Sequence, residues 1–138
     1  MFDTVNISKG NVWTKDDGIE LAIRGKTHEG NPANYIIRLF ADNSLKSLTM
    51  EGVPEKVARR LEREIRFYSI IKAKQQSAGG WYSEMALPLN LLGIKTEPGL
   101  KVPFNLCVYC NEYGKWHCWE GSQGESWDLD QGGWLIFR

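Results

Sequence analysis

The sequence predicts an all-β domain, an antiparallel β-sandwich of jelly-roll or immunoglobulin-like type, with one short helical insertion near residues 54–66. Three observations predict it. Short segments of alternating apolar and polar residues recur along the chain, as at Ile19, Leu21 and Ile23 set between Glu20, Ala22 and Arg24. Turn-forming clusters separate them every ten residues or so, the spacing of a sandwich. Only one stretch, Val53–Phe67, has helical periodicity, with Val57, Leu61 and Ile65 four residues apart.

The elements follow in order. Asp17–Arg24 and Tyr35–Ala41 read as two strands joined by the turn His28–Asn34, a hairpin. After Asp42-Asn-Ser44, Leu45–Met50 contains a short strand. Pro54 occupies a position that the first turn of a helix accepts, and Lys56, Arg59, Arg60, Glu62, Arg63 and Glu64 make a solvated face rather than a binding patch. Arg66–Lys74 is a strand, Gln75–Gly80 a turn, and Trp81–Pro88 a strand with Trp81, Ser83, Met85 and Leu87 on one face. Leu89–Ile94 is a single turn of helix or a loop. Val102–Tyr109 is the strongest strand and Asn111–Gly114 a hairpin turn. Lys115–Glu120, the polar loop Gly121–Ser126 and the closing strand Trp134–Arg138 complete the chain.

With 138 residues the chain fits one domain, 1–138, large enough to bury a core without staples. The 17 basic and 17 acidic residues cancel, so bulk charge gives no attraction to nucleic acid or to an anionic membrane. No apolar run approaches the ~20 residues of a membrane span. Met1–Gly10 is short and polar, unlike a signal peptide.

The three cysteines are Cys107, Cys110 and Cys118, an odd count that excludes a complete internal disulfide set. Cys107-x-x-Cys110 is half of a zinc or redox motif, which His117 and Cys118 are near enough in sequence to complete. The plainer reading is small buried hydrophobes with one partly exposed thiol. Enzyme signatures are missing: no Walker loop, no G-x-G-x-x-G, no G-x-S-x-G elbow, and two histidines, His28 and His117, far apart. Acidic residues such as Glu20, Glu84, Glu120 and Asp128 are available as glycosidase carboxylates, but nothing in the sequence pairs two of them across a cleft. Met85 and His117 as haem ligands have no support over core and surface roles. Six tryptophans, five of them after residue 80, exceed what one small core absorbs, so one or two are expected at the surface. Trp81, Trp119 and Trp134 are assigned to the core.

Read together, Gly80-Trp-Tyr-Ser-Glu-Met-Ala-Leu-Pro-Leu-Asn-Leu-Leu-Gly93, Glu97-Pro-Gly99 and Pro103-Phe-Asn-Leu106 form an ordered series. Trp119, Ser126-Trp127 and Gly133-Trp-Leu-Ile-Phe137 close it, and Trp13-Thr-Lys-Asp-Asp-Gly-Ile-Glu20 precedes it. The series resembles family 9 carbohydrate-binding modules and their relatives among the DOMON-like sandwiches. The resemblance covers nearly the whole chain, loosely over Val53–Lys74. It implies non-catalytic binding of a glucan or xylan chain or chain end, outside the cell or at its surface. The module would then hold an attached glycoside hydrolase on polysaccharide, as a monomer, with no membrane or nucleic-acid partner.

In the family two tryptophans sandwich a sugar ring; Trp13 and Trp127 match them. Glu20 matches the carboxylate that accepts sugar hydroxyls, Arg38 the arginine on the next strand, and Lys72 a lysine on the strand after that. Phe40, Cys107 and Gly124 stand where the family has Asn, Gln and Asn, so three polar contacts are replaced. No cofactor is required. The family tends to hold structural calcium, for which Asp16, Asp17, Asp128 and Asp130 are the candidate ligands. Family members begin with a further strand pair, so the resemblance implies a fragment, a trimmed piece or a shortened variant, and an absent strand would leave an unpaired sheet edge. The alternative, from another class, is a structural or protein-interaction sandwich without sugar binding, which the replacements favour and the retention of Trp13 and Trp127 opposes.

Overall fold

The computed structural model describes residues 7–50, 52–72, 80–120 and 125–138. It is mostly β and antiparallel, with one short helix. In chain order the elements are β1 (Gly18–Lys26), β2 (Pro32–Phe40), β3 (Leu45–Ser47), α1 (Glu55–Glu64), β4 (Arg66–Lys72), β5 (Gly80–Ala86), β6 (Lys101–Cys110), β7 (Lys115–Cys118) and β8 (Gly133–Ile136). Six strands form one sheet in the order β3-β2-β1-β6-β7, with β8 also paired to β6; β4 and β5 form a second sheet of two. The single turn expected at Leu89–Ile94 closes with Leu91, Leu92 and Gly93 N–H groups donating to Pro88, Leu89 and Asn90 carbonyls. Among the described residues no helix is long and apolar enough to cross a membrane.

Strand alternation divides the large sheet into two faces. Leu21 and Ile23 of β1, and Tyr35, Ile37 and Leu39 of β2, point to the main core. There they meet Ala58 and Leu61 of α1, with Ile65 just beyond it, and Phe67 and Met85 of the two-stranded sheet. The helix starts at Pro54, whose extended backbone suits an N-cap. Two i,i+4 pairs, Glu55–Arg59 and Arg60–Glu64, lie on its exposed side, a solvated face as the sequence suggests. Glu62 turns back to the sheet, where its carboxylate accepts the Ser47 backbone N–H at 2.9 Å.

The other face carries Gly18, Glu20, Ala22 and Arg24 on β1. Opposite them stand Phe40, Arg38, Ile36 and Asn34 on β2, and Tyr109, Cys107 and Asn105 beside the first three on β6. Residues 8–17 and 125–131 pack over this face.

Two expectations are corrected here. Cys107 and Cys118 form a disulfide, and only Cys110 is a free, buried thiol. The turn between β6 and β7 sets residues 107 and 118 directly opposite each other, so an odd cysteine count hid one complete bridge. Trp119 and Trp134 are not core residues: they are 55% and 56% exposed. Trp134 sits on the edge strand β8 opposite Pro103, and Trp119 follows the edge strand β7, packing edge-on to Phe104 at 5.6 Å. No further strand covers either of them among the described residues.

Candidate functional site

The residues that the sequence singled out converge on the second face, with one exception. Trp13 lies in the turn Val12–Lys15, where Lys15 and Asp16 N–H groups both donate to Val12 O. Asp16 fastens that turn by accepting from Val12 N and Ser8 Oγ, and Asp17 by accepting from Ser8 N and, across the sheet, Asn111 N at 3.0 Å. The indole is thereby laid over Gly18. A Cβ there would come within 3.0 Å of Trp13 Cζ3 and 3.2 Å of Leu39 O, so the glycine makes room for the ring.

Trp13 is the hub of an aromatic group. Its ring meets Trp116 at 4.7 Å, Phe40 at 6.2 Å and Tyr109 at 6.3 Å between centroids, mostly edge-to-face, and Tyr109 meets Trp116 at 4.9 Å. The Arg38 guanidinium carbon lies 4.4 Å from the Trp13 centroid, a cation–π contact. Trp13 is half-buried and Trp116 is 38% exposed, so the group faces solvent in part.

Glu20 is 2% exposed. One carboxylate oxygen accepts Arg38 Nε at 2.6 Å, and the other accepts the Ser126 hydroxyl. The register puts Glu20 opposite Arg38 on β2 and beside Cys107 on β6, between two buried strands where a lone charge is costly. It therefore orients Arg38 beneath Trp13. Ser126 is held in turn by Asn105, which is fully buried, donates to Ser126 O at 3.2 Å and accepts Glu120 N at 3.3 Å.

Trp127 packs with Ala22, Ile36, Leu129 and Leu48 in a second, small core on this same face. Along β1 the order is thus Trp13 over Gly18, the Glu20–Arg38 pair, then Trp127 over Ala22. The two indoles flank the ion pair without touching each other. Gly18 and Ala22 are four residues apart, about 13 Å along a strand.

Lys72 is the exception. It lies on β4, paired with Gly80 in the two-stranded sheet, which packs against the opposite face of the large sheet. The chain reaches β4 only after crossing through α1, so counting strands by sequence overshot. The next strand beside Arg38 is β3, and its Lys46 stands directly opposite Arg38. Lys46 Nζ donates to Asn11 O at 3.0 Å and lies 5.8 Å from the Phe40 centroid. Lys46, Trp116, Tyr109, Asn105 and Ser126 are the site residues that sequence reasoning missed. The short strand at Leu45 was the available signal for Lys46, and the Asn111–Gly114 hairpin that for Trp116.

Of the replaced polar positions, Phe40 is fully buried under Trp13 and Cys107 is tied into the disulfide; Gly124 lies outside the described residues. The four calcium candidates are engaged within the protein. All four oxygens of Asp16 and Asp17 accept from N–H or O–H donors. Asp128 accepts from Asp130 N and Gln131 Nε2, and Asp130 pairs with Arg24 at 2.7 Å. No protein-family model, no curated protein and no solved structure matches this chain.

Proposed function

We propose that the chain is a non-catalytic carbohydrate-binding domain of sandwich architecture, related to the family 9 modules, that takes a glucan or xylan chain or chain end on the face carrying Trp13. The observation that supports this reading is the Trp13 group. A partly exposed indole is held from below by Arg38 and from the side by Trp116 and Tyr109, and Trp127 stands beyond the ion pair. A pyranose presents C–H groups on its faces and hydroxyls at its rim. An aromatic face covers the C–H side, worth ~25 cal/mol per Å2 of apolar area removed from water. Rim hydroxyls then need partners, because leaving one buried and unpaired costs ~1–3 kcal/mol. Arg38 and Lys46 are donors beside the rings, and Glu20, itself held by Ser126, holds Arg38 in place. No proton transfer is involved.

The domain's role would be to keep an attached glycoside hydrolase on its polysaccharide, outside the cell and as a monomer. The Cys107–Cys118 bridge supports an oxidising compartment. A second reading, a structural or protein-interaction domain, is favoured by one observation: both Glu20 oxygens are already occupied within the protein.

The test is tryptophan fluorescence during titration with cellobiose, xylobiose and glucose, on the native chain and on Trp13→Ala and Trp127→Ala. A saturable change lost in Trp13→Ala supports the stacking site, and its loss in Trp127→Ala as well makes Trp127 the second wall. No response from a folded protein moves the assignment to the interaction domain.

A further inference from the structure

The large sheet opens between the end of β1 and the start of β6. The two strands pair only as far as Ile23 and Phe104. Before Phe104, β6 pairs on its other side with β8. Beside β1 its place is taken by the Leu92 backbone, whose carbonyl accepts Lys26 N–H at 2.8 Å. That approach is close. A Cβ on Gly25 would lie 2.0 Å from Leu92 O, and one on Gly93 would lie 2.6 Å from Lys26 O. Across the gap, the Glu97–Leu100 turn is tied down by Gly99 N–H to Phe137 O and Phe137 N–H to Leu100 O. A cleft of about 500 Å3 results, its walls set by backbone hydrogen bonds.

Its lining has two parts. Pro32, Leu100 and Pro103, none of them fully buried, give it an apolar wall, while Arg24, Lys26, Lys95 and Lys101 face a single carboxylate, Glu97. Arg24 is matched by Asp130. Among the described residues no carboxylate lies within ion-pair distance of Lys26, Lys95 or Lys101. The chain as a whole has a formal charge of zero, so this concentration of cations is local. Like charges around a concave, partly apolar wall raise the potential for an anion. A bare inorganic anion would use the ammonium groups and leave the apolar wall wet. A ring with a C–H face and a carboxylate uses both.

We propose that this cleft binds a uronic acid residue, its carboxylate among Lys26, Lys95 and Lys101 and its ring face on Pro32, Leu100 and Pro103. The site is separate from the Trp13 group, which lies at the other end of β1, about 26 Å away along the strand from Gly18 to Lys26. Its failure and that of the aromatic site are therefore distinguishable.

The experiment follows backbone amide shifts of the full chain during titration with glucuronate, glucose and inorganic sulfate. Glucuronate is expected to shift the amides of Gly25, Lys26, Lys95 and Lys101 saturably, with glucose and sulfate at least ten-fold weaker. The same titration should be unchanged in Trp13→Ala and at least ten-fold weaker in the triple variant Lys26→Gln, Lys95→Gln, Lys101→Gln. These side chains are exposed, so the remaining amides report an intact fold, and Lys101→Glu alone provides a second variant with the same expected direction. Equal shifts from glucose, equal shifts from sulfate, or an unchanged response in the folded triple variant overturns the proposal.

Discussion

Arg38 sits between a carboxylate and a ring: Glu20 accepts its Nε at 2.6 Å, and its guanidinium carbon stands 4.4 Å from the centre of Trp13. The first contact is buried on the Glu20 side and the second opens toward solvent. Glu20 thereby acts on the surface without reaching it. Removing one partner of a buried pair leaves the other uncompensated, at ~3–5 kcal/mol when both are fully buried. Because Arg38 keeps 21% of its side chain exposed, Glu20→Gln is expected to cost less, about 2–3 kcal/mol. Urea unfolding should show a lower midpoint at an unchanged slope. An unaltered midpoint would mean that the pair does not hold this face together.

The disulfide leads to an independent outcome. Cys107 and Cys118 close a short loop, for which the chain-entropy account gives about 3 kcal/mol of stabilisation. Thiol titration of the unfolded, unreduced protein should find one free thiol, Cys110, and three after reduction. Reduction should lower the unfolding midpoint by a corresponding amount. It should also loosen β7, which carries Trp116 against Tyr109, so Trp emission should shift before global unfolding. Three thiols without reduction would remove both the bridge and its support for an oxidising compartment.

How far these features were legible in the sequence depended on range. Strands such as β1 and β2 announce themselves through alternation, because Leu21 and Ile23 face the main core and Glu20 and Arg24 the other side of the sheet. The helix was readable from Val57, Leu61 and Ile65, since burial of one stripe is a local property. The pairing of Glu20 with Arg38 followed from a hairpin and was within reach. The place of Lys72 was out of reach because it depends on which sheet β4 joins, a long-range choice made by packing Phe67 and Met85 under the main core. Trp119 and Trp134 failed for a similar reason: their residue type says core, but the strands carrying them are edges. The Cys107–Cys118 bridge was within reach, since both cysteines stand equally far from the Asn111–Gly114 turn, but only once that turn is read as a hairpin register.

Tyr35 gives the fold a pH dependence at its alkaline end. It is buried against the main core and donates its hydroxyl to Lys26 O at 3.0 Å. Burial raises its pKa above the ordinary 10.0. The unfolded chain therefore loses this proton at lower pH than the folded one does. The associated stability is fully present below pH 10.0 and is lost as pH rises through the higher folded value. Tyr35→Phe should flatten this alkaline loss, at a cost of about 1 kcal/mol near neutrality for the missing hydrogen bond. Thermal melts of both proteins on either side of pH 10 compare the slopes; equal slopes would assign the alkaline loss to other groups.

Thr14 carries the backbone strain of the loop that presents Trp13. Its φ of 68° lies in the left-handed region, which a β-branched side chain rarely adopts. The conformation is imposed by its neighbours: Asp16 accepts Val12 N, while Lys15 and Asp16 both donate to Val12 O. The left-handed backbone costs a β-branched residue roughly 1–2 kcal/mol relative to glycine. Glycine also has the more flexible unfolded chain, which returns part of that gain. Thr14→Gly is therefore expected to stabilise the protein by about 0.5–1 kcal/mol, seen as a higher unfolding midpoint, with the Trp13 emission maximum unchanged. Destabilisation instead would show that the Thr14 side chain contributes contacts that outweigh its backbone strain. An altered emission maximum would show that the strained turn, and not only the two aspartates, sets the position of the indole.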